Sequence, residues 1–220
     1  MLDSPEPEPP PQAAAEQDRR LEARQITVRL VAKLRTELGE ELCLVRNLST
    51  GGLTTHIYSA IDADGSVSFE FASGVVITGK IIWQRDNMAG VQFDERIDPA
   101  LILSVRERFP DAPAPRAPRV EVNIPAIAKM EGGQFPITLS NISQGGAQIR
   151  AEEPIEVGEK LTLLVDGLPP ATGRVRWSRG GAAGMAFHVP LPFDVLAQWL
   201  PMVQSSSEAA GESSESARNP

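Results

Sequence analysis

Asn47-Leu48-Ser49-Thr50-Gly51-Gly52 returns 94 residues later as Asn141-Ile142-Ser143-Gln144-Gly145-Gly146. The same offset carries Gly79 onto Gly173, Trp83 onto Trp177 and Arg85 onto Arg179. It also carries Ala89, Gly90 and Phe93 onto Ala183, Gly184 and Phe187, with no gap anywhere between. Conservative pairs such as Leu48 with Ile142 and Ile81 with Val175 fill the intervals. Several of these residues are rare, so chance is a poor account of the match. The chain is an internal duplication, each copy one complete unit.

Each copy reads as mostly β. In the first, residues 26–34, 41–46, 52–58, 67–71, 75–83 and 90–93 form short runs rich in Val, Ile, Thr and aromatics. In the second the runs are 120–129, 134–140, 147–151, 160–165, 171–177 and 184–187. Gly, Asn, Asp and Ser break them, as turn residues break strands. Many short strands at regular spacing point to a closed barrel or a sandwich. Each copy then ends in a helix. Asp98-Pro99 supplies a cap and first turn, followed by Leu101, Ile102 and Val105 on one face. Pro192, Asp194, Val195, Leu196, Trp199 and Leu200 supply the same in the second copy.

Between and beyond the copies the composition changes. Residues 1–16 are acidic and proline-rich, and 205–220 are serine, glutamate, glycine and alanine; neither can offset the entropy of folding, so both read as disordered. Residues 110–118, with four prolines, read as an extended linker. This divides the chain into a first domain over 17–109 and a second over 119–204. The net charge of −8 sits mainly in the tails. Asp3, Glu6, Glu8, Glu16 and Asp18 stand with no Lys or Arg before residue 19, and Glu208, Glu212 and Glu215 face only Arg218. The body is close to neutral, which argues against binding a nucleic-acid polymer through a broad basic surface. It leaves room for a small, local anion site. No run of about 20 apolar residues is present to span a membrane, and the N-terminus is unlike a signal peptide, so the cytoplasm is the expected location. One cysteine, Cys43, and two histidines, His56 and His188, exclude an internal disulfide and an ordinary His/Cys zinc site.

Two short motifs carry chemistry in the first copy. One is Arg20-Leu21-Glu22-Ala23-Arg24, an RxxxR pattern with Arg19 beside it; the other is Asn47-x-Ser49-x-x-Gly52. Taken in order, with the later Gly79-Lys-Ile-Ile-Trp83 and Gly90-Val-Gln-Phe93, they resemble the PilZ family over residues 18–108. The resemblance recurs, weaker, over 115–203. It implies a six-stranded antiparallel split barrel with a C-terminal helix, twice over. It also implies a non-enzymatic receptor for cyclic di-GMP, with no cofactor or metal and with an unidentified protein partner. Proteins of this resemblance are tied to motility, exopolysaccharide and biofilm control. By the same resemblance Arg20 and Arg24 form a clamp, Arg19 helps, and Asn47, Ser49 and Gly52 wall the guanine side.

The residue types fit that ligand, which carries two phosphates and two guanines. Arginine is permanently charged and forked for bidentate bonds to phosphate or to guanine O6 and N7. Asn offers two donors and an acceptor to a guanine edge, and Ser a hydroxyl. Plainer readings stand beside these. Asn-x-Ser-x-Gly-Gly also makes a turn, and its recurrence fits a structural role as well as a binding one. The arginines also fit a solvated domain edge. Asn-x-Ser matches a glycosylation acceptor, which lacks support without a signal peptide. Trp83 and Trp177 read as core, Cys43 as a small buried filler, and the histidines as surface or satisfied residues. Gly180-Gly181 reads as a hairpin loop, since no Lys-Ser/Thr pair follows to make a phosphate loop.

The second copy is a degenerate version. It keeps Asn141, Ser143 and Gly146, but its arginines, Arg116 and Arg119, are three apart instead of four. In an extended strand that spacing puts them on opposite faces; in polyproline II it reunites them. Two functions compete: a cyclic di-GMP receptor acting through copy one, and a PilZ-like adaptor that binds protein and no nucleotide. An enzyme is disfavoured, because no nucleophile and base stand at a recognisable spacing.

Overall fold

The computed structural model describes residues 25–61, 65–103 and 117–216, the last twelve as backbone alone. The first unit holds β1 (Ile26–Thr36), β2 (Gly39–Leu48), β3 (Gly52–His56), β4 (Ser66–Phe71), β5 (Val76–Arg85) and β6 (Met88–Phe93), then a helical turn α1 (Ala100–Leu103). The second holds β7 (Val120–Met130), β8 (Gly133–Ser143), β9 (Gly146–Arg150), β10 (Lys160–Leu164), β11 (Ala171–Arg179) and β12 (Ala182–Phe187), then α2 (Phe193–Ser216). All pairings are antiparallel, and each set closes into a six-stranded barrel. The orders are β1-β2-β3-β6-β5-β4 and β7-β8-β9-β12-β11-β10, the same path twice.

Alternation explains how each strand faces its core. In β4, Val67, Phe69 and Phe71 are buried while Ser66, Ser68 and Glu70 point outward. Closure leaves no free sheet edge. The bulges repeat as faithfully as the strands. They fall between Thr27 and Leu30, Val45 and Asn47, and Ile81 and Trp83 in barrel one. Each recurs 94 residues on, at Glu121/Ile124, Leu139/Asn141 and Val175/Trp177. The tight turn at Asp86-Asn87 has both φ angles positive, +49° and +62°, and Gly180-Gly181 repeats it at +58° and +74°. This is the type I′ geometry that suits a two-residue hairpin, as expected for Gly180-Gly181.

The helices differ from each other. The Ala100 amide donates to Asp98 Oδ1 at 2.9 Å, so Asp98 caps α1, and Ile102 enters the barrel-one core. Leu101, expected on the same face, is 42% exposed; Val105 lies outside the described residues. α2 is the larger element. It buries Leu196, Ala197, Trp199 and Leu200 completely or nearly so, and the Trp199 indole N–H donates to the Asp166 carbonyl at 2.8 Å. The helix runs past residue 204, where the sequence reading begins the C-terminal tail. Ala209 and Ala210 with Glu208 and Glu212 favour helix and bring little to bury.

α2 also joins the barrels. Leu42, on β2 of barrel one, is fully buried within the hydrophobic cluster of barrel two, with Val31 and Tyr58 packed against it. Tyr58 donates its hydroxyl to Asp194 Oδ1 at 3.1 Å, and Gln204 Nε2 donates to the Glu40 carbonyl. The Glu121 amide donates to Glu40 Oε2 at 3.3 Å. Burial works against the charge on Glu40. The Arg35 guanidinium, the Glu121 amide and the Lys33 ammonium outweigh it and hold this carboxyl below its usual range.

Candidate functional site

A shallow cavity of about 320 Å³ lies on barrel one where β2, β3, β6 and β5 meet. The Asn47–Gly52 motif forms one wall of it. Ser49 donates twice to the Gly52 carbonyl, from its amide at 2.9 Å and its hydroxyl at 3.0 Å. That pair of bonds closes the turn between β2 and β3. The hydroxyl hydrogen is spent on the turn, so Ser49 has acceptor capacity to offer outward. Gly52 is required by the barrel itself: a Cβ there would stand 2.3 Å from the Val91 carbonyl oxygen on β6. Among the described residues, a Cβ on Gly51 would meet nothing within 4 Å.

Asn47 stands beside the β2 bulge, opposite Thr54 on β3 and Thr27 on β1. Its Oδ1 accepts from the Thr27 hydroxyl at 3.3 Å. Its amide nitrogen has no partner among the described residues and can donate into the cavity. The opposite wall is Trp83 with Ile82, and Gln25, Thr54 and Gln92 complete the polar part. No charged side chain lines the cavity among the described residues. Gln25, the residue directly after Arg24, does line it. Arg19, Arg20, Arg24 and Arg116 themselves lie outside the described residues.

Trp83 corrects the sequence reading. It is 44% exposed, and Trp177 is 39% exposed, so neither is a core residue. Strict alternation from the buried Ile77, Gly79 and Ile81 would turn Trp83 inward. The bulge between Ile81 and Trp83 adds one residue, and both Ile82 and Trp83 face outward. The indole then lies over Gly90 on β6, the residue it pairs with. Three apolar residues in a row, Ile81-Ile82-Trp83, opposite a glycine, are the signal in the sequence for this arrangement.

Barrel two repeats the scaffold and alters the chemistry. Ser143 Oγ donates to the Gly146 carbonyl at 3.2 Å, and a Cβ on Gly146 would stand 2.3 Å from the Met185 carbonyl oxygen. Gln148 replaces Thr54, and its Oε1 accepts from Asn141 Nδ2 at 3.0 Å. The amide that is available on Asn47 is therefore engaged on Asn141. Asn141 Oδ1 is buried without a hydrogen-bond partner among the described residues. Arg119 is half-buried just ahead of β7, where Gln25 stands in barrel one.

The remaining candidates stand apart from the cavity. Cys43 is buried in the barrel-one core, as its reading as filler anticipates, and burial pushes its thiol up to about 12. His188 is exposed. His56 is not the surface or satisfied residue expected: it is half-buried, its ring is 4.7 Å from that of Tyr58, and its Nδ1 is buried with no partner among the described residues. Among the described residues no group of three His, Cys, Asp or Glu side chains is placed to hold a metal ion. No helix among them is long and apolar enough to cross a membrane.

The chain is similar to the PlzA protein of Borreliella burgdorferi, solved in complex with c-di-GMP, at 11% identity over 86% of this chain and 98% of that one, with a TM-score of 0.38. It is similar to the Bacillus subtilis inhibitor of motility, MotI/DgrA, at 15% identity over 82% and 99%, with a TM-score of 0.33. It is also similar to YcgR of Escherichia coli, solved with c-di-GMP, at 12% identity over 95% and 96%, with a TM-score of 0.29. No curated protein sequence matches the chain. The PilZ domain model matches twice, over residues 18–107 and 114–199, one match on each barrel, and the chain therefore belongs to the PilZ domain family.

Proposed function

We propose that this chain is a cyclic di-GMP receptor that binds the dinucleotide at barrel one. The observation that carries the reading is the composition of the cavity. Among the described residues it presents an indole face, an unpaired amide on Asn47 and a hydroxyl oxygen on Ser49, and no positive charge. A guanine can stack on Trp83 and meet Asn47 along its edge. Two phosphates need cations, and the chain enters the cavity through Gln25, directly after Arg24. Arg20 and Arg24 are the phosphate clamp in this reading, with Arg19 in support. Family membership favours the same ligand.

The domain division at 17–109 and 119–204 is part of the proposal, as is the weaker role of barrel two. There Asn141 is tied to Gln148, so the face of Arg119, Asn141, Ser143 and Gly146 has less to offer a guanine. The signal passes along β2, which holds Asn47 near one end and Glu40 and Leu42, the residues that meet barrel two, at the other. The output is a change in how a protein partner is held.

Isothermal titration of cyclic di-GMP into the full chain tests this. Arg20→Ala/Arg24→Ala removes charge-assisted bonds of about 1.5–3 kcal/mol each and is expected to weaken binding by roughly a hundredfold or more. Binding that survives the double substitution would move the site elsewhere. No heat at all would leave the adaptor reading.

A further inference from the structure

The shared register lets the face of barrel one that seats α2 be found residue for residue on barrel two. On barrel one that face is Leu42 on β2 together with Tyr58, Ser59 and Ala60 after β3, and α2 covers it. Leu42 is 0% exposed there. Ninety-four residues on stand Pro136, Glu152, Glu153 and Pro154, all exposed. They border a groove of about 480 Å³ with an apolar floor of Met130, Phe135 and Ile155. One copy of the duplicated surface is thus occupied by a helix, and among the described residues nothing covers the other.

The open copy has its own charge. Glu152, Glu153 and Glu156 rim the groove, and none forms an ion pair with a described residue. Glu159 is also at the rim and accepts the Glu156 amide at 3.0 Å. α2 of a second copy does not suit such a rim. Its charged residues are Asp194, Glu208, Glu212 and Glu215, and its apolar face is already buried. We propose that this groove docks a basic amphipathic helix from a partner protein. Apolar residues at helical spacing would lie on Met130, Phe135 and Pro136, and lysines or arginines would meet the glutamates. The groove shares no lining residue with the nucleotide cavity.

The test is fluorescence anisotropy on the full chain with a labelled helical peptide of about 18 residues, built from Leu and Lys with leucines at i, i+3, i+4 and i+7. A Leu/Glu peptide of the same pattern is the counterpart. Glu152→Lys/Glu153→Lys/Glu156→Lys is expected to weaken the Leu/Lys peptide by about tenfold or more. Glu208→Lys/Glu212→Lys/Glu215→Lys makes the same change in net charge and should leave binding within about twofold. Pro136→Ser, neutral and exposed, should weaken it several-fold. Hydrogen exchange of the unmodified chain with the peptide should gain protection at 130–136 and 152–159. Equal loss from the two charge reversals would reduce the effect to diffuse attraction and overturn the proposal. So would equal binding of the Leu/Glu peptide, or a self-associated chain in sedimentation that the groove reversal makes monomeric.

Discussion

The indole of Trp83 fills the space that a side chain on Gly90 would need. A Cβ on Gly90 would stand 1.9 Å from Trp83 Nε1, and the same atom on Gly184 would stand 2.0 Å from Trp177 Nε1. Gly90→Ala must therefore push the indole off its seat. The expected cost in stability is about 1–3 kcal/mol, that of an overpacked site, and cyclic di-GMP binding falls with it. Gly184→Ala should cost a similar amount in thermal unfolding and leave nucleotide affinity unchanged. Equal losses of affinity in both would show that the effect is global.

Trp83→Ala separates the proposed stacking surface from the scaffold. The side chain is nearly half exposed, so its loss leaves the barrel folded. Stacking of one base on an aromatic ring is worth about 1–3 kcal/mol, and affinity for cyclic di-GMP should drop accordingly in a direct titration. Trp177→Ala should bind as the unmodified chain does.

The duplicated hairpin turn gives a prediction free of any ligand. Asn87 holds a φ of +62° where the second copy has Gly181 at +74°. Asn tolerates this region and a β-branched residue does not. Asn87→Val should cost about 1–2 kcal/mol in denaturant unfolding, and Asn87→Gly should stay within about 1 kcal/mol of the starting protein.

Much of this architecture was legible in the sequence because duplication doubles each signal. Asn47-x-Ser49 and Asn141-x-Ser143 mark one turn twice, and the turn is the same in both barrels. What escaped reading depends on a single inserted residue or on distant packing. Alternation gives the right face for Ile77 and Ile81 and fails at Trp83, since a bulge shifts the strand by one. Leu42 reads as an ordinary strand residue. Its burial belongs to a helix more than 150 positions away in the chain, and no local pattern encodes that. Gln25, Thr54 and Gln92 carry no motif and enter the site through register alone.

Leu42 also sets the coupling between the barrels. Leu42→Ala removes a fully buried side chain from the cluster it shares with α2, at an expected cost of about 2–5 kcal/mol. The loss should fall on the contact between units. Calorimetry of the unmodified chain should show one joint transition, and the variant two. Tyr58→Phe, which removes only the bond to Asp194, should cost about 0.5–1.5 kcal/mol and keep the single transition. A Leu42→Ala chain that still melts in one step would show that the barrels are held elsewhere.

Glu41, one residue before Leu42, makes the joint sensitive to pH. It is 4% exposed, and neither carboxylate oxygen has a hydrogen bond of good geometry among the described residues. Burial pushes its pKa above the ordinary 4.5, and the nearby Ser59 hydroxyl and Tyr58 backbone offset that only in part. In the unfolded chain the group loses its proton near 4.5; in the folded chain it holds the proton to a higher pH. The unfolded state then binds fewer protons in that window, so stability falls as pH rises through it and levels off above the raised pKa. Glu40 runs the other way, since its lowered pKa makes its contribution full above the ordinary value and lost in acid. Glu41→Gln removes the burden of a buried carboxylate while keeping shape. Its melting temperature should exceed that of the unmodified chain at pH 8, and the difference should close as pH falls below 4. A difference that is the same at both pH values would show that Glu41 does not change its charge on folding.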